Sequence, residues 1–139
     1  MDIIVIAFLV AILVFGVIIF VVVVGRGKMS SVLDVQKFRT SWMSIEQQLE
    51  KGNEASYQLC ILNADKLLDS ALRQRGFKGD TMGERMKAAN NNWQNANVVW
   101  TSHKLRNQVA HETHVSIEYD QVRRALAGFK QGLKDLGAI

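Results

Sequence analysis

The chain contains no proline and only one cysteine, Cys60, among its 139 residues. Without proline nothing removes a backbone donor or forces a kink, so helices can run to their natural stops. A lone cysteine excludes an internal disulfide and a thiolate-built zinc site, and at position 60 it falls on an expected apolar helix face, where it reads as a small buried hydrophobe. Aromatic residues make up 8% of the chain, and no stretch of useful length alternates polar with apolar. The missing alternation argues against an α/β nucleotide-binding fold. Charge is also missing in one place: the 22 residues from Ile3 to Val24 carry neither a charge nor a side-chain hydrogen-bonding group.

At about 1.5 Å per residue that run is long enough to cross a hydrocarbon core of about 30 Å, and it predicts a transmembrane helix with membrane contact through residues 3–24. A cleaved signal peptide would start with basic residues and end at small ones, whereas here Asp2 leads and Arg26 and Lys28 follow. Because lysine and arginine stay on the cytoplasmic side, the flanks predict an N-terminus outside and a cytoplasmic C-terminal domain. The organisation expected is an anchor over 1–26, a linker over 27–31 and one helical domain over 32–139. The net charge of +4 permits an anionic partner such as RNA or lipid headgroups without requiring one.

Beyond the anchor, Gly25, Gly27, Ser30 and Ser31 make a flexible joint, and Ser31 with Asp34 has capping-box spacing. Val35, Phe38, Trp42, Ile45 and Leu49 then recur by three and four, which predicts a helix over about 32–51, stopped by Gly52. Asn53 is suited to cap a second helix with the stripe Tyr57, Cys60, Ile61, Ala64, Leu67, Leu68, Ala71 and Leu72, ending near Gly76. Thr81 and Glu84 repeat the capping-box spacing before a short helix with Met82, Met86 and Ala89. Val98, Val99, Trp100, Leu105, Val109 and Ala110 mark the next helix, with Asn97 as its expected cap. Ser116 is the expected start of a last helix whose apolar positions run from Tyr119 to Leu136 and which Gly137 closes. The fold class expected is therefore all-α: an N-terminal transmembrane helix followed by an antiparallel four-helix bundle with one extra short helix.

Chemistry concentrates on the fourth of these segments, in His103-Lys104-Leu105-Arg106-Asn107-Gln108-Val109-Ala110-His111-Glu112. Asn107 and His111 are four apart and share a face, and Arg106 reaches the same region through its long side chain. An imidazole titrates near neutrality, and a guanidinium carries fixed charge in a fork that matches phosphate, so the trio suits a phosphodiester. His103 and Lys104 can extend a basic strip along an RNA backbone. Trp100 at its spacing reads as core and Trp93, among asparagines, as a loop anchor, with base stacking as the alternative for both. Three histidines invite a metal, but no cysteine or carboxylate pair completes a ligand set with His103, His111 and His114, so no metal and no cofactor is expected.

Arg106-Asn107-Gln108-Val109-Ala110-His111 resembles the R-x4-H signature of HEPN domains, which often carry a polar residue directly after the arginine. The likeness extends over about residues 44–139, since the motif sits late on the third long helix of the soluble bundle. It implies a four-helix HEPN-like bundle, a homodimer with two motifs facing across a cleft, and metal-independent cleavage of single-stranded RNA. Arg106, Asn107 and His111 would be the catalytic residues. It also leaves open an antitoxin-like partner, and a different outcome altogether: a non-catalytic, membrane-tethered dimerisation or nucleotide-binding module. In purely structural terms, Arg106 would pair with a nearby acid such as Glu112 and His111 would favour the helix C-terminus.

Overall fold

The computed structural model describes residues 3–25, 32–112 and 115–139. Every described element is helical: α1 (Ile3–Gly25), α2 (Val35–Gln48), α3 (Glu54–Gln74), α4 (Met82–Ala88), a 3-10 turn (Asn90–Asn92), α5 (Ala96–His111) and α6 (Tyr119–Asp135). In α1 the stretch Ile3–Phe20 is long and apolar enough to cross a membrane, and none of it is buried against the rest of the chain. The joint at 27–31 lies outside the described residues.

Helix starts follow side-chain caps, which replace partners that the first backbone N–H groups lack. Asn53 accepts from the Ser56 N–H at 3.1 Å, as its position predicts. Thr81 Oγ1 accepts from Glu84 N while the Glu84 carboxylate reaches back to Thr81 N, which completes the expected capping box. Three expected starts move. Asp34 caps α2 by accepting from Lys37 N at 3.1 Å, so the helix begins at Val35, and Ser31 lies outside the described residues. Asn95 rather than Asn97 caps α5. Glu118 rather than Ser116 precedes α6, with Gln121 accepting the Glu118 N–H at 2.9 Å. In each case the region offers several residues with capping side chains, and spacing alone does not choose between them. Of the stops, that of α2 also moves, since the helix ends at Gln48 with Leu49 as its C-cap, short of Gly52, while those at Gly76 and Gly137 stand where expected. Gly76 and Gly137 take φ of +82° and +67°, and such left-handed residues let the next amides turn back onto the helix end.

The core is built around α3, whose Cys60, Ile61, Ala64, Leu68, Ala71 and Leu72 are fully buried. Phe38, Trp42 and Ile45 of α2, Met86 of α4, Val99 of α5, and Val122, Phe129 and Leu133 of α6 complete it. Each large side chain so buried contributes on the order of 2 kcal/mol. Two glycines let α6 approach closely. A Cβ at Gly128 would lie 2.1 Å from Ser102 Oγ and 2.8 Å from Val98 O, and one at Gly132 would press on Leu68 and Val99. Cys60 sits in the core as expected, its Sγ 3.4 Å from Ile45 O, and burial pushes its thiol up. A thiol held in its neutral form is a poor nucleophile, so Cys60 is a packing residue. Trp93 is the expected anchor: it is 8% exposed and its indole N–H donates to Met86 O, closing the turn from α4 into α5.

Candidate functional site

The buried charged and imidazole side chains, Asp65, Arg85 and His103, gather where α3, α4 and α5 meet. The stripe of α3 runs Ile61, Ala64, Leu68, Leu72, and Asp65 is set into it at only 3% exposure. A carboxylate taken out of water at such a position is costly unless charge and hydrogen bonds meet it there. They come from α5. His103 Nδ1 lies 2.7 Å from Asp65 Oδ1, and Arg106 Nε lies 3.1 Å from Asp65 Oδ2. The second contact is an ion pair by distance, but the Nε–H direction misses the oxygen and makes no hydrogen bond of good geometry. Asn107 joins the two bases: its Oδ1 accepts from Arg106 Nη1 at 2.9 Å, and its Nδ2 stands 3.4 Å from His103 Nε2. Asp65, His103, Asn107 and Arg106 therefore form a closed ring of four side chains, with three hydrogen-bonding contacts and one ion pair.

One turn further along α3 stands a second such knot. Asp69 takes Arg85 of α4 through both oxygens, at 2.7 and 3.0 Å, and Arg73 at 2.9 Å. Arg85 also donates to Gly79 O. Burial opposes the charged form of Asp69, but the hydrogen bonds from Arg85 and Arg73 outweigh it and hold its carboxyl below the usual 3.8.

Both knots line one groove of about 860 Å³, whose wall includes Lys66, Arg73, Arg85, Thr81, His103, Arg106 and Asn107. A neighbouring groove of about 730 Å³ shares Thr81, Gly83, His103 and Asn107 and adds Trp100, Lys87 and Lys104. His103 and Asn107 thus form the ridge between two concavities. A third concavity of about 540 Å³ between α5 and α6 has Val98, Leu105 and Ala125 in its wall with Lys104 and Arg124, and among the described residues no acid and no histidine lines it.

Of the residues expected to act, Arg106 and Asn107 are brought together in the first groove, with 34% of the Arg106 side chain exposed. His111 is the last residue of α5 and is exposed, one turn beyond Asn107 and outside the ring. Lys104 is exposed as a groove residue. His103, expected as part of a basic strip for RNA, is 8% exposed and committed to Asp65 and Asn107. Arg106 meets Asp65 rather than Glu112. His114 lies outside the described residues. Asp65, Asp69 and Arg85 were not expected from the sequence. Asp65 had a readable signal, since it is a carboxylate at a core position of the α3 stripe. Arg85, lodged among Met82, Met86 and Ala89, had a weaker one.

No protein-family model, no curated protein and no solved structure matches this chain.

Proposed function

We propose that this is a membrane-tethered HEPN-type helical bundle that cleaves single-stranded RNA without a metal, at a cleft between two copies. Arg106, Asn107 and His111 are its catalytic residues in this reading. The observation that carries it is the pairing of Arg106 with Asn107 in the wall of an open groove, with an exposed imidazole one turn beyond on the same helix. The ribose 2′-hydroxyl attacks phosphorus and loses its proton as the P–O5′ bond breaks, leaving a 2′,3′-cyclic phosphate and a 5′-hydroxyl. His111 moves a proton at the attacking or leaving oxygen. Arg106 offsets the charge that builds on the non-bridging oxygens, and Asn107 fixes the arginine's direction. The basic residues after the apolar run support a cytoplasmic bundle in this reading, and tethering raises the local concentration of copies for dimerisation.

The purified full chain in detergent, incubated with single-stranded RNA and a chelator, tests this directly. Wild type should cleave and leave cyclic phosphate ends, while His111→Ala and Arg106→Ala should each be slower by about 100-fold or more. Equal cleavage by all three would sink the reading. One observation favours a non-catalytic dimerisation or nucleotide-binding module instead: Asp65 already balances the charge of Arg106. Retained binding of a labelled nucleotide with no cleavage by wild type would decide for that module.

A further inference from the structure

The ring of four side chains has only one internally consistent pattern of donors and acceptors. A carboxylate can only accept, so at 2.7 Å from Asp65 Oδ1 the His103 Nδ1 must carry a proton. A guanidinium can only donate, so the Asn107 atom facing Arg106 Nη1 at 2.9 Å is the amide oxygen, the amide NH2 faces His103 Nε2, and Nε2 must present a lone pair. Turning the amide over would set oxygen against the Nε2 lone pair and NH2 against the guanidinium, losing both contacts at once. Asp65 acts a second time from its other oxygen, 3.1 Å from Arg106 Nε. Among the described residues, no hydrogen bond or ion pair uses Arg106 Nη2.

We infer that Asp65 and His103 are positioning residues: through this ring they set the direction of the Asn107 amide and the Arg106 guanidinium, and leave Nη2 to meet an anion in the groove. Neither residue belongs to the R-x4-H segment, and neither needs to touch substrate. The inference rests on the ribonuclease reading only for what the aimed guanidinium does. The ring itself makes demands that can be measured without any reaction.

The test uses the full chain in detergent micelles, labelled with nitrogen-15 at histidine. Long-range proton–nitrogen spectra of wild type should show His103 as the Nδ1–H tautomer; the Nε2–H tautomer, or rapid averaging of the two, would overturn the inference. Asn107→Asp replaces the amide with two acceptors, so His103 should take a second proton on Nε2 at neutral pH. An unchanged single-proton signal in a folded Asn107→Asp chain would show that the contact does not direct Asn107. Asp65→Asn keeps a carbonyl for His103 but sets an amide against Arg106, so kcat for RNA should fall on the order of 100-fold with KM within about threefold. Cleavage by wild type with kcat unchanged in Asp65→Asn would overturn the positioning role and leave the ribonuclease reading intact. Absence of cleavage by wild type would sink that reading instead, and the spectra would still decide whether the ring orients Asn107.

Discussion

Asp65 and Asp69 stand four residues apart on α3, and each meets two basic groups, but the two knots differ in kind. Asp69 is clamped by two guanidiniums, one of them bidentate, and the clamp ties α3 to the short α4. Guanidinium groups hold their charge at any ordinary pH, so this knot has one state while the carboxylate is ionised. Asp65 is more deeply buried and shares itself between one guanidinium and one imidazole, and an amide bridges the two. Its pattern depends on which nitrogen of His103 carries a proton. The Asp69 knot is built to fix α4 in place, whereas the Asp65 knot is built to give direction to side chains that open on a groove.

The largest difference between the two knots is expected on removal of Arg85, whose side chain is 5% exposed. Arg85→Ala leaves a largely buried carboxylate with only Arg73 and frees Gly79 O, so the chain should lose about 3 kcal/mol by denaturant titration. If the Asp69 knot is only a strut, the His103 tautomer should survive wherever the variant remains folded. A change in that tautomer would mean that the two knots act as one unit.

A somewhat smaller effect is expected from the other side of α5. Gly128→Ala drives a Cβ into Ser102 Oγ and Val98 O, and Ser102 neighbours His103 in sequence. Overpacking there should cost about 2 kcal/mol. It should also shift α5 relative to α6, and the His103 ring signals should move with it if the 2.7 Å contact to Asp65 tolerates little displacement. Unmoved signals would show that the α3–α5 contact, rather than the α5–α6 packing, sets the position of α5.

These two faces of α5 explain what the sequence could and could not say. Helices are legible because apolar spacing and stop signals are local: the α3 stripe, the Thr81–Glu84 box and Gly137 all stand where the pattern puts them. Starts at Asp34, Asn95 and Glu118 were displaced by a few residues because several neighbouring side chains are able to cap. The Arg106–Asn107 pair was legible because its members are adjacent on the chain. The role of His103 was not, since it depends on Asp65, which is 38 positions away and meets it only after α3 and α5 pack. Gly128 and Gly132 carried no sequence signal of their own, because a close helix crossing is a property of two surfaces.

The finest comparison is through pH. The folded carboxyl of Asp69 lies below its ordinary 3.8, because the hydrogen bonds from Arg85 and Arg73 outweigh the opposing cost of burial. A depressed folded value means that the unfolded chain binds the proton more readily, so the stabilisation is fully present well above 3.8 and is lost as pH falls through the lower folded value. Wild type and Asp69→Asn should therefore differ in stability by a constant amount near neutrality and converge toward the acid end of a series from about pH 6 to about pH 2. Other carboxylates titrate over the same range, but they are common to both chains and cancel in the difference. A difference that stays constant down the series would mean that the clamp holds Asp69 no better folded than unfolded. The groove wall at Arg73 and Arg85 would then owe its shape to packing rather than to charge.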